Sequence, residues 1–296
     1  MTSLHGYNVL HPLEQWPAGV KHVRLWDCGM AWAQLNPAKG EFDFSDLDAV
    51  LSEHAGVDFM LVLSGTPLWA ASDPESEGAA EWVGPASNSP PARMAYWEAY
   101  CKAVALRCKG RVKAYQIWNE PQLKQFWSPY GDIHKLAQMT WLAKRVIGAI
   151  DPAARIVAAP VLPRQSSGGM KRASAYLAAL RTHDWPVDVF AAHIYPDKGE
   201  GTLIWASRVN MVRKGLIAHG APGRQMWVTE TNFNLMHGQL TDELIVRRVV
   251  ETAAKATSMG VRRVYWYAYG HHGDPNVLGI PFEEDSLGTK TLAAYL

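Results

Sequence analysis

Two glutamates stand in comparable settings. Glu120 closes the run Tyr115-Gln116-Ile117-Trp118-Asn119-Glu120-Pro121, and Glu230 closes Met226-Trp227-Val228-Thr229-Glu230-Thr231-Asn232. In each case an apolar, strand-like stretch delivers a carboxyl group at its C-terminal tip. Pro121 cannot donate to a strand ladder, so the first strand ends there. Two carboxyl groups facing one another across a cleft are the minimal equipment for hydrolysing a glycosidic bond, one as acid/base and the other as nucleophile or base. The plain alternative is that each glutamate only caps the helix that follows it.

Whether the two can meet depends on the elements that carry them. Eight short apolar runs recur along the chain: Gly6–Leu10, His22–Trp26, Phe59–Leu63, Ala114–Trp118, Ile156–Ala159, Val189–His193, Met226–Thr229 and Val264–Tyr267. Several are apolar on both faces, as strands of a helix-covered parallel sheet are. Between them lie helical patterns at Phe44–His54, Ala92–Arg107, Ile133–Ile150, Lys171–Leu180, Trp205–His219 and Asp242–Met259, the first with Ser45 as a cap signal. Alternation of this kind predicts an α/β fold, a (β/α)8 TIM barrel, with the 296 residues forming one catalytic domain. Eight units of about 37 residues place Glu120 and Glu230 three units apart on strands four and seven, both facing the C-terminal mouth. The connection from Leu10 to His22 is too short for a full helix and predicts a single turn around Pro12–Trp16, hence a shortened first helix.

Composition narrows the function further. Lys and Arg number 29 against 28 Asp and Glu, a net charge of +1, which argues against a nucleic-acid partner. With 48% hydrophobic and 19% charged residues the chain reads as globular, and no apolar run is long enough to span a membrane. Met1–Leu10 lacks a basic segment followed by an apolar one, so no secretory signal is read there and the compartment stays open, although a glycan substrate suggests action outside the cell or at its surface. Cys28, Cys101 and Cys108 form no disulfide framework; the last two fall seven residues apart on one expected helix. Tryptophan is abundant, at 13. Trp32, Trp69, Trp82 and Trp127 fall on loops or strand ends of the expected active face. If exposed, they would form a row of sugar platforms along a groove; if not, they are loop core.

Other residues fit the same chemistry. Asn119 can donate to a sugar 2-hydroxyl. Trp118 and Trp127 can desolvate Glu120, as an acid requires. Arg24 and Tyr195 can hold Glu230 ionised, and Trp266 offers a flat apolar face. Each also has a structural reading: a buried ion pair for Arg24, a satisfied core histidine for His193, loop packing for Tyr195 and plain core for Trp266.

Trp118-Asn119-Glu120-Pro121, taken with Thr229-Glu230, resembles the clan of retaining glycosidases built on (β/α)8 barrels. Val23-Arg24-Leu25, His193-Ile194-Tyr195 and Tyr265-Trp266-Tyr267 are similar to that clan's second, sixth and eighth strands. The stretch Trp32 to Phe44 with Leu47-Asp48, and Gly65-Thr66-Pro67-Leu68-Trp69, are most similar to glycoside hydrolase family 39. The resemblance implies Glu120 as acid/base and Glu230 as nucleophile. It implies that Arg24 supports the nucleophile, that His193 and Tyr195 line it, and that Trp266 floors the sugar subsite. It also implies equatorial, β-type bonds and no cofactor.

The expected activity is endo-hydrolysis of a bacterial exopolysaccharide or cell-surface glycan by a monomer whose partner is an oligo- or polysaccharide. The alternatives are an exo-acting β-glycosidase such as a β-xylosidase, and a non-catalytic glycan-binding barrel. A metal-dependent barrel using His193, His271, His272 and Asp274 would need three or four ligands and a fixed second shell that the sequence does not obviously supply, so no metal is expected.

Overall fold

The computed structural model describes residues 4–16, 19–128, 132–163, 169–197, 199–233, 241–270, 279–283 and 285–293. Eight parallel strands pair in chain order and close into a barrel: β1 His5–Val9, β2 His22–Leu25, β3 Asp58–Leu63, β4 Val112–Ile117, β5 Arg155–Val157, β6 Val189–Ile194, β7 Gln225–Thr231 and β8 Arg263–Tyr269. All eight expected strands are present, with ends displaced by one or two residues. The helices are α1 Trp32–Leu35, α2 Ser45–Glu53, α3 Met94–Cys108, α4 Ile133–Ile150, α5 Gly169–Arg181, α6 Thr202–Ala218, α7 Asp242–Ser258 and α8 Leu287–Ala293.

Two helices, α1 and α8, escaped the sequence pattern because four and seven residues are too few to show a period of 3.6. Ser45 is not the cap of α2. It is the first helical residue, and both its backbone N–H and its hydroxyl donate to Asp43. Between β1 and β2 the described residues make only a turn, in which the Glu14 N–H donates to the His11 carbonyl. Cys101 and Cys108 lie buried on α3, and all three cysteines are free thiols.

Alternation along each strand divides its residues between the barrel interior and the layer under the helices. Met60, Ala114, Val157, Val189, Ala191, Trp227 and Tyr265 form an apolar plug inside. Val23, Leu25, Leu61, Tyr115, Ile117, Phe190, Val264 and Trp266 belong to the larger outer core.

One strand breaks the alternation. Against β6, Val228 pairs with Ala192 and Glu230 with His193; against β8, Val228 pairs with Val264 and Thr231 with Trp266. Both neighbours therefore see one extra residue in β7, a bulge centred on Thr229. Trp227 faces inward. Strict alternation would send residue 230 outward, and the bulge turns Glu230 into the mouth instead. Thr231 then faces the helices, where its hydroxyl accepts from Trp205 of α6 at 2.9 Å.

Candidate active site

Arg24 organises the mouth. It is fully buried, and a buried guanidinium must have its donors satisfied. Nη1 donates to Glu230 Oε1 and Asn8 Oδ1, both at 2.6 Å, Nη2 to Asn119 Oδ1 at 2.8 Å and Nε to Gln116 Oε1 at 3.2 Å. Strand register sets Asn8 of β1 beside Arg24 of β2, while Gln116 is an inward position of β4. Because arginine only donates, Asn119 must give it the amide oxygen, which leaves Nδ2 as the donor free to turn toward a ligand. Sequence reasoning misses Asn8 and Gln116, although each is a lone amide between apolar neighbours, Tyr7 and Val9 around Asn8 and Tyr115 and Ile117 around Gln116.

Glu230 also accepts from the Tyr195 hydroxyl at 2.8 Å. The Tyr195 backbone is held in turn by Arg208, which donates to its carbonyl and pairs with Asp197 at 2.6 Å and Glu200 at 2.8 Å. Burial and the nearby Glu230 charge push the Tyr195 phenol well above its ordinary range, so it remains a donor. His193 reaches both carboxyl groups through Nδ1, at 2.7 Å from Glu120 Oε1 and 3.3 Å from Glu230 Oε2. Burial lowers the His193 pKa to about 3, which leaves the imidazole neutral at neutral pH.

Ligand-type atoms of Glu120, His193 and Glu230 all lie within 4.8 Å of one another. Burial raises the Glu230 pKa, while His193 and Arg24 pull it down. The Arg24 contact to Glu230 Oε1 favours the charged form of that carboxyl group against its burial.

The backbone that presents Glu120 is strained. Trp118 and Glu120 have φ of +71° and +36°, a region side chains larger than glycine seldom occupy. Strain of this kind costs of order 1–3 kcal/mol per residue and persists where the surroundings enforce it. The surroundings here are the Trp118 indole N–H donating to the Phe126 carbonyl at 2.6 Å, the Trp118–Trp127 edge-to-face contact at 5.1 Å, and Pro121.

The structure corrects several expected sugar contacts. Trp266 is fully buried in the outer layer among His5, Phe233 and Phe282, because alternation on β8 turns Tyr265 and Tyr267 inward instead. Trp127 is buried behind Trp118, where it can desolvate Glu120 but presents no open face. Trp69 is half-buried, edge-on to Trp32 and Tyr96, with its N–H committed to the Asn36 carbonyl at 3.0 Å. The inward aromatic on β8 is Tyr267. Its hydroxyl donates to Asp27, and its carbonyl accepts from Asn232 Nδ2 at 2.6 Å.

Asn232 also bonds the Ile280 carbonyl at 3.0 Å and accepts from the Ile280 N–H at 2.9 Å, pinning the loop after β8. A Cβ on Gly279 would come within 2.5 Å of that amide, so only glycine fits there. His271, His272 and Asp274 lie outside the described residues. Among the described residues, Glu120, His193 and Glu230 are the group whose atoms could hold a cation. The Arg24 guanidinium, 2.6 Å from Glu230, already supplies positive charge at that place and would repel one.

No protein-family model and no curated protein sequence matches the chain. Solved structures do. A glucosidase from Croceicoccus marinus superposes with a TM-score of 0.73 at 16% identity, over 99% of this chain and 67% of that one. A GH39 β-xylosidase from Caulobacter crescentus gives 0.64 at 18%, over 90% of this chain and 62% of that one. Xylanase 10B from Thermotoga maritima gives 0.67 at 13%, over 99% and 95%. The chain thus spans less than two thirds of the β-xylosidase. At these identities the likeness speaks to architecture: the chain is a (β/α)8 barrel similar in fold to glycosidases of family 39 and to a xylanase.

Proposed function

We propose that the chain is a retaining glycoside hydrolase acting on β-type bonds by double displacement, with Glu120 as acid/base and Glu230 as nucleophile. The observation that carries this reading is the spacing. One oxygen of each carboxyl group lies within 4.8 Å of the other, which suits the roughly 5–5.5 Å separation of retaining enzymes better than the about 6.5–9.5 Å of inverting ones. In the first step Glu120 gives its proton to the glycosidic oxygen as that bond to the anomeric carbon breaks, while Glu230 forms an ester to the same carbon. In the second step Glu120 takes a proton from water, the water oxygen replaces Glu230, and both residues return to their starting states.

Neutral His193 can hydrogen-bond to Glu120 without adding a charge that would favour loss of its proton. Arg24 and Tyr195 stabilise the Glu230 carboxylate as attacking and leaving group. On this reading the substrate is a β-linked glycan cleaved internally, such as a bacterial exopolysaccharide or cell-surface glycan, and the chain works as one monomeric catalytic domain. Xylanases and a β-xylosidase both occur among the similar folds, so exo-cleavage is the rival within the same chemistry.

The decisive experiment is Glu230→Ala. The variant is expected to lose activity on every glycoside, activated or not, because no leaving group bypasses a nucleophile. Azide entering the vacated space should yield a glycosyl azide of inverted configuration, read by NMR. Retention of even a tenth of wild-type turnover would overturn the assignment.

A further inference from the structure

The four loop tryptophans expected to form a row do not remain equivalent once folded. Trp32 and Trp127 are buried and Trp69 is half-buried, whereas Trp82 is 40% exposed, the one tryptophan so exposed among the described residues. Its exposure is not looseness of the loop between β3 and α3. Ala86 N–H donates to the Ser76 carbonyl at 3.0 Å, Ser87 Oγ donates to the Gly84 carbonyl and accepts from the Ala79 N–H, each at 2.7 Å, and Gln34 Nε2 donates to the Trp82 carbonyl at 2.5 Å. Ala79 and Val83 are buried against Ala31, so the backbone on both sides of Trp82 is anchored while its ring stays outside.

The ring is braced and continuous with the mouth. Trp82 stands edge-on to Trp26 at 5.6 Å, and Trp26 edge-on to Phe126 at 6.0 Å. Trp26 directly precedes Asp27, which holds Tyr267, and Phe126 lies in the loop that follows Glu120. A large flat apolar face on a rigid loop at the rim of a carbohydrate cleft suits the C–H face of a pyranose. The same loop carries Asp73, Glu75, Glu77 and Glu81 with no Lys or Arg between residues 71 and 92. Its negative field would repel an anionic chain.

We propose that Trp82 floors a second sugar subsite on the β2–β3–β4 side of the mouth, and that the ligand is an extended, uncharged glycan rather than a single terminal sugar or a polyuronate. This rests on the glycosidase reading above. The test uses a ladder of neutral β-linked gluco-, xylo- and manno-oligosaccharides from disaccharide to hexasaccharide. In the wild type, kcat/KM is expected to climb with length. Trp82→Ala should flatten that climb, costing the hexasaccharide roughly tenfold and the disaccharide much less, and Trp82→Phe should restore part of it.

Binding of the same ladder to Glu120→Gln, followed by tryptophan fluorescence, should show the same length dependence and lose it in the double variant with Trp82→Ala. A hexasaccharide of alternating uronate units should bind more weakly than its neutral counterparts. Equal losses at all lengths, no loss at any length, or preferred binding of the anionic oligomer would overturn the proposal. Failure of the wild type to cleave any member while still binding with Trp82-dependent length preference would overturn the hydrolase reading and leave the subsite standing.

Discussion

The barrel holds an arginine–carboxylate pair at each end, and the two are built differently. At the mouth, Arg24 and Glu230 meet at 2.6 Å with side chains 0% and 7% exposed, inside a network of Asn8, Gln116, Asn119, Tyr195 and His193. At the N-terminal end, Arg263 meets Asp58 at 2.9 Å with side chains 18% and 36% exposed, and its guanidinium lies over the Trp227 ring at 4.8 Å. The lower pair closes a plug of Met60, Ala114, Val157, Val189, Ala191, Trp227 and Tyr265 and keeps its carboxylate in touch with water. Among the described residues the upper pair is surrounded by polar side chains instead. A fold that needed only stability would have filled the mouth apolar, because a buried ion pair seldom stabilises more than well-packed hydrophobic residues do. The polar network and the strained backbone at Trp118 and Glu120 therefore mark the mouth as the working end.

The largest effect that would sharpen this contrast is expected from Glu120→Ala. Natural glycosides with poor leaving groups should slow by several orders of magnitude. Nitrophenyl glycosides should lose far less in the glycosylation step, because they leave without a proton. Pre-steady-state bursts on both substrates check this; equal losses would remove Glu120 from the acid role and reduce the mouth to a polar counterpart of the lower end.

Arg24→Met should follow, with a reduction of about 10²–10³ in kcat/KM. The physical reason is that a buried Glu230 left without its cation holds its proton more tightly. The group must be ionised to attack, so the acid limb of the pH–rate profile should move to higher pH. Breaking a buried pair on one side should also cost about 3–5 kcal/mol of stability, read by denaturant unfolding. An unmoved acid limb would show that Arg24 only fills space.

The smallest effect is expected from Asp58→Asn at the other end. That pair is partly exposed, so its loss should cost about 1 kcal/mol or less and leave kcat/KM as in the wild type. A large activity loss there would erase the distinction between the two ends.

Much of the site was legible beforehand because barrel geometry is periodic. Counting units of similar length placed Glu120 and Glu230 on the same face, and the residues flanking Arg24, Asn119, His193 and Tyr195 set them at strand ends. The buried amides Asn8 and Gln116 could have been found by asking why an amide sits between two apolar residues of a strand. Asp27 and Tyr267 could not, because their pairing joins residues far apart in the chain. Trp266 was misplaced for want of a register: counting inward positions along β8 from Tyr265 passes over Trp266 to Tyr267.

The amino-acid sequence by itself determined which residues could form strands and helices, how many units there were, and that two glutamates would stand at the same end of the barrel, since these follow from hydrophobic period and spacing along a single chain. Which side chains turn inward was decided only by the tertiary structure. The bulge at Thr229 exists in the pairing of β7 with its neighbours, and no local pattern announces a residue left unpaired between two partners. That unpaired residue swings Glu230 from the helix layer into the barrel, opposite His193 and onto Arg24. In the same way, burial of Trp32, Trp127 and Trp266 and exposure of Trp82 depend on which loops dock over them, a matter of three-dimensional packing that residue type alone leaves open.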